Sequence, residues 1–397
     1  MKKEKQIIES LLVGTGITIN GTNPYDPQIH NENFYNRVMK EGSLGLGESY
    51  MDGWWDCKNL DQFFHKVLEA ELDKKIKKNF SILFSLAWNY VLNPGRKSKA
   101  FEIGKKHYDI GNDLYRAMLD KRLTYTCSYW NSPHGEAKNL NEAQEAKLDL
   151  VCKKIGIKPG QKVLDIGSGW GSFIGYASEK YSAHALGVTV SKEQKELADK
   201  LYENFSVETR LQDYRDINDP PSHKTASFTE VATKAELEGQ RKFDHIVSLG
   251  MFEHVGYKNY RAFMKVVHST LKDNGLFLLH TIGSNLSMRG TDPWIEKYIF
   301  PNSMIPSIKQ IGKSIEGLFV MEDWHNFSAD YDKTLMAWHK NFENNWDKIK
   351  SNYDEKFYRM WRYYLLSCAG SFRARKNQLW QIVLSKKGVP GGYKLIR

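Results

Sequence analysis

The chain has 397 residues, a formal net charge of +10 at pH 7 and 13% aromatic residues. This length allows two domains, or one domain with an appendage. No apolar run reaches the roughly 18 residues that span a bilayer, and the opening MKKEKQIIES lacks the apolar core of a signal peptide, so we expect a cytoplasmic protein.

The four cysteines lie far apart in the sequence and have no CxxC spacing, which indicates reduced thiols and no metal site. They are Cys57, Cys127, Cys152 and Cys368. The positive charge suits nucleic acid and an anionic membrane equally well.

The clearest element before residue 94 is a set of apolar residues near helical spacing at 60–91, which predicts one or two amphipathic helices. Four lysines between residues 74 and 78 lie amid this set, a combination that can place a helix on anionic lipid. A basic face packed on a core is the alternative. Asn93-Pro94-Gly95 ends the pattern. We therefore predict an N-terminal domain for lipid and membrane interaction at 1–93, a linker at 94–106 and a second domain at 107–397.

From residue 160 onward, short apolar runs alternate with helical stretches. The runs that we predict to be strands are 162–166, 183–190, 207–212, 243–249 and 276–281. This alternation is typical of a parallel sheet with helices on both faces. We expect a final run at 379–384 to add an antiparallel edge strand.

A glycine-rich turn follows the first of these strands, in the sequence VLDIGSGWG at 163–171. Glycines at alternate positions expose bare backbone, and the next helix can turn its N-terminus toward a ligand. Dinucleotide-binding turns favour GxGxxG, whereas the GxGxG spacing here, with the carboxylate of Asp165 before it, suits a sulfonium ligand such as S-adenosylmethionine. An ordinary strand-to-helix turn is the alternative reading of such a run alone.

These patterns together predict an α/β fold of the S-adenosylmethionine-dependent methyltransferase type. It would have a Rossmann-like, mostly parallel sheet and a smaller, mainly helical N-terminal domain. Resemblance to such methyltransferases implies a seven-stranded sheet, one strand more than the six predicted above. Ligands of such sheets bind beyond the carboxyl ends of the strands. The polar residues expected at those ends are Asp165, Thr189, Ser191, Gln212, Asp213, Glu253, His254 and His280.

Six further segments resemble the bacterial cyclopropane-fatty-acyl-phospholipid synthases. They are EGSLGLGESYMDGWW at 41–55, HYDIGN at 107–112, YTCSYW at 125–130, GMFEHVG at 250–256, LHTIG at 279–283 and YDKTL at 331–335. The resemblance covers nearly the whole chain. It includes the N-terminal domain, which the related mycolic-acid cyclopropane synthases lack, so the phospholipid-acting branch is the closer match.

This resemblance implies methylene transfer from S-adenosylmethionine to a cis double bond of an acyl chain that is still esterified in a membrane phospholipid. The alkene attacks the sulfonium methyl group and becomes a carbocation, which loses a proton and closes to a cyclopropane. Because an alkene is a poor nucleophile, the site must align the two reactants, exclude water and hold a base near the new methyl group. In the family this base is a bound bicarbonate ion.

The residues that the family uses around the bicarbonate match five positions of this sequence. Cys127 corresponds to the cysteine that borders the ion, and Glu253 to the carboxylate that orients it. His280 corresponds to the neighbouring imidazole, Ile282 to a backbone amide donor and Tyr331 to the phenol that completes the site.

For the cofactor, the resemblance places the methionine part near Gly167 and Gly169, with Asp165 before the turn and Tyr125 and Thr126 closing over it. The second strand lacks the acidic residue that commonly binds the ribose. The matching positions for the nucleoside part are Thr189, Val190, Gln194, Gln212 and Asp213.

Each of these residues also has an ordinary structural interpretation. Cys127 among aromatic residues is typical of a core cysteine, and Tyr331 is typical of a surface loop. From the residues alone, His254 rivals His280 for the imidazole role. The aromatic-rich stretch 294–301 with Met304 and Ile305, and the helical run 357–372, are candidate walls of an acyl channel, although such stripes are usually core.

Polar residues 219–242, which begin with Asp219-Pro220-Pro221, resemble an insertion, and we expect a surface loop there that is dispensable for the chemistry. Ser168 stands where relatives often have cysteine, a small change that we expect to matter little.

Other functions remain open from the sequence. The chain could methylate a small soluble amine, or could make methyl-branched lipids. A membrane-binding module without activity is disfavoured because the glycine turn, Glu253 and His280 are intact, and no nucleic-acid-binding motif is present. The N-terminal lysines favour peripheral binding to a phospholipid bilayer at the inner face of the cell membrane, and relatives suggest a homodimer, in which two membrane-facing surfaces add avidity.

Overall fold

A computed structural model describes residues 2–72, 111–132, 135–217 and 242–397. In chain order, its helices are α1 Lys2–Leu12, α2 Asn33–Glu41, α3 Ser43–Met51, α4 Leu60–Glu69, α5 Asn112–Met118, α6 Leu140–Ile155, α7 Ser172–Tyr181, α8 Lys192–Leu201, α9 Tyr260–Thr270, α10 Pro293–Tyr298, α11 Ile308–Ile315, α12 Ala329–Ile349 and α13 Glu355–Arg373. Its strands are β1 Gln28–Ile29, β2 Trp55–Asp56, β3 Asn131–Ser132, β4 Gly135–Glu136, β5 Lys162–Ile166, β6 His184–Thr189, β7 Val207–Leu211, β8 Phe243–Leu249, β9 Leu271–Ser284, β10 Val320–Asn326 and β11 Asn377–Ser385. Short 3-10 helices lie at Tyr214–Asp216, Phe252–His254 and Lys350–Asn352.

The chain divides into two compact units, each made of separate segments. Unit 1 contains residues 1–118, 290–303 and 328–377, and unit 2 contains residues 119–289, 304–327 and 378–397. The predicted linker at 94–106, the lysines at 74–78 and the segment 107–110 lie outside the described residues, as do residues 219–241 of the suspected insertion. The predicted linear domain boundary therefore stays a prediction.

Unit 1 is mainly helical and has an aromatic core. The helical run expected at 60–91 is confirmed over α4, and the run at 357–372 forms most of α13. Trp55, Tyr50 and Phe63 pack ring against ring with centroids 5.2 and 5.5 Å apart. Backbone atoms of α4 approach Gly370 of α13 so closely that an added Cβ would lie 2.6 Å from the carbonyl oxygen of Asp61, which favours glycine at that helix crossing.

Unit 2 is built on a seven-stranded sheet with the order β10-β11-β9-β8-β5-β6-β7 among the described strands. The strand pairs β5–β6, β6–β7, β5–β8 and β8–β9 are all parallel, as the alternating pattern predicts. Successive residues of β5 face opposite sides: Val163 packs with one apolar cluster and Leu164 with another. Helices therefore cover both faces, which buries the strands as expected for a parallel sheet.

The expectation for the last strand was wrong in its position. β11 lies between β9 and β10, and β10 is the outer strand on that side. β10 pairs antiparallel with β11, so one of the two runs against the other five. The sequence VMEDWHN of β10 contains four polar residues, as is usual for an edge strand, and it therefore gave no clear strand pattern.

No helix among the described residues is long and apolar enough to cross a membrane.

Candidate active site

The carboxyl ends of β5, β8 and β9 lie side by side in unit 2. Asp165 of β5 is paired in register with Val247 of β8, and Leu249 of β8 is paired with His280 of β9. The loops that follow these ends carry the glycine turn and Glu253. The sheet therefore brings the predicted acidic and imidazole groups to one edge, as parallel pairing requires.

Glu253 is fixed at this edge by hydrogen bonds from both neighbouring segments. The backbone amide of Ile282 donates to its Oε1 at 2.6 Å, and the amide of Met304 donates to its carbonyl oxygen at 2.8 Å. The side chain is buried, and among the described residues its Oε2 has no hydrogen-bond partner. Burial raises the pKa of Glu253 to about 7, against the lowering effect of the Ile282 amide.

His280 is buried on β9 and lies beside the Phe327 ring, with ring centroids 6.0 Å apart. Its Nδ1 faces Nε2 of Gln381 at 3.4 Å. No partner of Nε2 of His280 is found within the described part of the chain. Burial holds the pKa of His280 well below its usual value, so the imidazole is neutral. His254, the rival from the sequence, is an exposed residue.

The segment 124–127 packs against the same edge. The side-chain amide of Gln144 donates to the carbonyl oxygens of Thr124 and Thr126 at 3.2 and 2.8 Å, which ties the segment to α6. A Cβ on Gly250 would lie 2.6 Å from Cγ2 of Thr126, so the segment touches the end of β8. Cys127 is buried, and its Sγ donates to the Ser128 carbonyl oxygen at 3.2 Å. Burial agrees with the core interpretation of this cysteine, and its role at the site stays a prediction.

Lys147 of α6 is a buried cation that the sequence reasoning missed. Its Nζ donates to Oγ1 of Thr126 at 2.9 Å. Burial lowers the pKa of Lys147 to about 8, and the nearby Asp120, Cys127 and Asp165 oppose this lowering. A signal was present: Ala143, Gln144, Lys147, Leu148, Val151, Lys154 and Ile155 occupy one face of α6 at helical spacing and are all buried.

The glycine turn has the backbone that its spacing predicts. Gly167 and Gly169 have φ of 88° and 54°, in the region that favours glycine. A Cβ on Gly167 would lie 2.6 Å from Met251, whereas a Cβ on Gly169 would meet no atom within 4 Å. The turn therefore offers bare backbone beside open space.

Asp165 lies just before this turn and is buried. Its Oδ1 has no hydrogen-bond partner in the residues that the structure describes. Burial raises the pKa of Asp165 to about 7, although Lys147 acts in the opposite direction. A buried carboxylate oxygen without a partner, next to a bare glycine turn, fits a polar or cationic ligand such as the methionine part of S-adenosylmethionine.

The residues expected around the nucleoside lie at the ends of β6 and β7. Oγ1 of Thr189 bonds to Oε1 of Gln194 at 2.9 Å and accepts from the amide of Ser191 at 3.2 Å. Val190 is 78% exposed, so it is free to contact a ligand. The amide of Gln212 donates to the carbonyl oxygen of Thr189 at 2.9 Å, which joins the two strand ends.

Asp213 is engaged within its own turn. Its carboxylate accepts from the backbone amide of Arg215 at 2.9 Å and from the guanidinium of Arg215 at 2.8 and 2.7 Å. These hydrogen bonds lower the pKa of Asp213 despite partial burial. The structure therefore gives Asp213 a local role in shaping the turn, and the side-chain amide of Gln212 also bonds locally, donating to the carbonyl oxygen of Asp216 at 2.8 Å.

Tyr331 belongs to unit 1, whereas the other predicted site residues all belong to unit 2. The expectation of a surface loop was wrong for this residue. Tyr331 is buried in the first turn of α12, and its ring lies 4.5 Å from that of Phe372. Its role at the site stays a prediction.

The suspected channel residues fall in both units. Trp294 is buried in unit 1, with ring centroids 5.5 Å from Tyr298 and 4.4 Å from Tyr363. Met304 is buried in the apolar cluster of unit 2. These contacts are those of core residues, and a channel-lining role stays a prediction.

Residues 95–382 match the family model described as mycolic acid cyclopropane synthetase. The chain is 49% identical over 392 residues to a cyclopropane-fatty-acyl-phospholipid synthase of Escherichia coli strain K12, covering 99% of this chain and 96% of the relative. Among solved structures, it resembles the mycolic acid cyclopropane synthase CmaA1 complexed with SAH and CTAB, with a TM-score of 0.60, 30% identity and coverage of 73% and 99% of the two chains. Coclaurine N-methyltransferase, at a TM-score of 0.63 and 21% identity over 86% of this chain and 99% of its own, shares the fold.

Proposed function

Because the chain belongs to the mycolic acid cyclopropane synthetase family of S-adenosylmethionine-dependent methyltransferases, we propose that it transfers a methylene group from S-adenosylmethionine to the cis double bond of unsaturated acyl chains in membrane phospholipids. The observation that carries this proposal is the extent of the match. The phospholipid synthase aligns with 99% of the chain, whereas the mycolic acid synthase structure covers 73% of it. The similarity to the phospholipid synthase thus includes residues before 95, which the family model does not match.

The cofactor would be held by the groups around the glycine turn. Gly167 and Gly169 offer backbone, Asp165 offers a buried carboxylate oxygen, and Tyr125 and Thr126 form the adjacent segment. The nucleoside part would lie toward Thr189, Val190, Gln194, Gln212 and Asp213. When bound, S-adenosylmethionine supplies an electrophilic methyl group to the alkene.

Water exclusion is the first task of the protein, because a carbocation on the acyl chain would react with water. Cys127, Glu253 and His280 are all buried, so the proposed base site is screened from solvent. His280 is neutral, so it adds no positive charge to the site, and its Nε2 can donate a hydrogen bond in the tautomer that carries the proton there.

Bicarbonate fits the polar atoms that remain at this edge. Oε2 of Glu253 and Nε2 of His280 are buried and lack partners among the described residues. Burial raises the pKa of Glu253 to about 7, which favours the protonated form, and a protonated carboxyl group can donate a hydrogen bond to an anion. A bicarbonate ion held there would supply the base for the proton that the transferred carbon loses as the ring closes. We propose that Cys127 and Ile282 complete this site within unit 2, whereas a part for Tyr331 of unit 1 rests on the family resemblance alone.

We also infer peripheral association with the inner face of the cell membrane, since the proposed substrate is a bilayer lipid. The sequence resemblance supports a homodimer, which analytical ultracentrifugation would test. A sedimentation coefficient that stays monomeric at micromolar concentration would contradict the dimer.

Transfer of label from the cofactor tests the proposed function. The purified protein is incubated with methyl-labelled S-adenosylmethionine and vesicles that contain cis-monounsaturated phosphatidylethanolamine or phosphatidylglycerol. Label in the acyl chains supports the proposal. Label transferred to a soluble amine, with the lipid unlabelled, would indicate an N-methyltransferase instead. Bicarbonate dependence is tested in the same assay by removing dissolved carbon dioxide and adding it back, and a rate that does not change on either step would contradict the bicarbonate site.

A further inference from the structure

We propose that an apolar patch formed by Leu286, Met288 and Ile308, together with the basic side chains beside it, binds the surface of an anionic phospholipid bilayer. The three side chains are 71%, 54% and 54% exposed. Isolated exposed apolar residues are common, but a group of large ones in adjoining segments is a feature of interaction surfaces. This inference rests on the proposed function. It adds to that function by assigning the membrane contact to a surface of unit 2.

Hydrogen bonds hold the two segments of the patch together. Oγ of Ser287 and Oγ of Ser307 are 2.7 Å apart, and the side-chain amide of Gln310 donates to the carbonyl oxygen of Met288 at 3.2 Å. The amide of Ser284 donates to the carbonyl oxygen of Pro306 at 2.8 Å. Since Ser287 lies between Leu286 and Met288, and Ser307 precedes Ile308, these bonds bring the three apolar side chains to one place.

The helix α11, which begins with Ile308 of the patch, is anchored in the core of unit 2. Ser307 and Gln310 form a reciprocal capping box at its start, and Ile311 and Ile315 are buried in the apolar cluster of unit 2. The exposed residues of α11 therefore have a fixed direction. A rigid surface loses little conformational entropy on binding.

The charged side chains of the two segments are all basic. Residues 284–289 and 307–315 contain Arg289, Lys309 and Lys313 and no acidic residue. All three cations are on exposed residues. Apolar side chains flanked by lysine and arginine match the interface of a bilayer that contains anionic lipid, where the side chains enter the headgroup region and the cations meet phosphate.

The patch is also continuous with the candidate active site along the chain. β9 carries His280 and Ile282 and ends at Ser284, two residues before Leu286. A bilayer that contacted the patch would be brought to the same end of β9 as the buried carboxyl of Glu253. This position suits an enzyme whose substrate carbon atoms lie within a membrane.

The experiment is a vesicle sedimentation assay on the full chain. The vesicles are phosphatidylcholine alone, or phosphatidylcholine with phosphatidylglycerol, and all acyl chains are saturated so that no turnover can occur. The variants are Leu286→Ser with Met288→Ser and Ile308→Ser, and separately Lys309→Gln with Lys313→Gln. The matched control is Met321→Ser with Leu395→Ser, which removes exposed apolar side chains elsewhere in unit 2. Cofactor affinity and thermal unfolding show that each variant is folded.

We expect the triple serine variant to bind anionic vesicles at least tenfold more weakly than the unmodified chain. Each lysine removed should weaken binding by about fivefold, on anionic vesicles only. The control should match the unmodified chain. If the triple variant bound anionic vesicles as tightly as the unmodified chain, the proposal would be overturned. It would also be overturned if the triple variant changed from dimer to monomer and kept its vesicle binding, because the patch would then be a contact between copies of the chain. Because the assay measures binding to saturated lipid, these outcomes do not depend on whether the proposed reaction occurs.

Discussion

The backbone amide of Ile282 donates a hydrogen bond of 2.6 Å to Oε1 of Glu253, and this bond joins the end of β9 to the 3-10 turn after β8. It fixes one oxygen of a buried carboxyl group and leaves the other without a partner among the described residues. The carboxyl group is therefore held in one orientation before any ligand binds. Such preorganisation is what electrostatic catalysis requires.

Glu253→Gln keeps the shape of this side chain and its acceptor for the Ile282 amide, but it removes the proton and the charge. We expect turnover of phospholipid to fall by about 10² to 10³-fold, because a positioned acid or charged donor contributes about that much. Product formation is measured by mass spectrometry and cofactor affinity by calorimetry. His254→Gln, at the adjacent exposed position, is the control and should retain turnover. Equal losses in both variants would mean that the turn, and not the carboxyl group, is responsible.

The raised pKa of Glu253 also predicts a pH dependence of stability. The folded-state pKa of about 7 exceeds the model value of 4.5, so the fold favours the protonated form. This contribution is fully present below pH 4.5 and is lost as the pH rises toward and through 7. Relative to Glu253→Gln, the unfolding free energy of the unmodified chain should fall by about 2 to 3 kcal/mol between pH 5 and pH 8. Urea titrations at both pH values measure it, and parallel pH profiles for the two proteins would contradict the assignment.

Lys147→Met should weaken cofactor binding about tenfold at pH 7, because it removes the cation that opposes protonation of Asp165. Methionine retains most of the volume of the side chain. Lys154→Met is the matched control on the same helix: Lys154 is also buried, but it pairs with Asp323, which Arg397 contacts at 2.6 Å. We expect the control to change stability and to leave calorimetric cofactor affinity within twofold. An equal loss of affinity in the control would assign the effect to α6 as a whole.

Much of the sheet could be predicted from the sequence because buried parallel strands are apolar throughout. The predicted bounds of β5 and β8 agree with the structure, whereas β9 extends five residues earlier and three later than its apolar run. The sequence reasoning missed β10 because an edge strand is less buried than an inner strand, so its sequence does not need to be apolar throughout. Its position decides that β11 is an inner strand.

Some features of the candidate site could be predicted from the sequence, and others could not. Glycine spacing predicted the turn because positive φ restricts the choice of residue. His280 and His254 differ in exposure, which depends on the packing of β9 and not on the local sequence, and the imidazole role of His280 stays a prediction. Lys147 was overlooked because lysine is usually exposed, although helical spacing placed it on the buried face of α6.

Gly167→Ala should lower the unfolding free energy by about 1 to 3 kcal/mol and abolish detectable cofactor binding. The added Cβ would meet both an unfavourable φ of 88° and the side chain of Met251 at 2.6 Å. Gly388→Ala has nearly the same φ, 86°, with no atom within 4 Å, so it isolates the backbone strain. Chemical denaturation and calorimetry measure the two quantities. If the two variants were equally stable and Gly167→Ala still bound the cofactor, the close packing of this turn would be refuted.

The mass of the acyl chains after incubation with trideuteriomethyl S-adenosylmethionine and unsaturated phospholipid vesicles tests the central claim most directly. Methylene transfer with proton loss from the transferred carbon predicts a cyclopropane that retains two of the three deuterium atoms. A methyl-branched chain that retains all three would show that the proton leaves from elsewhere, and lipid without deuterium, from protein that binds the cofactor, would contradict the phospholipid assignment.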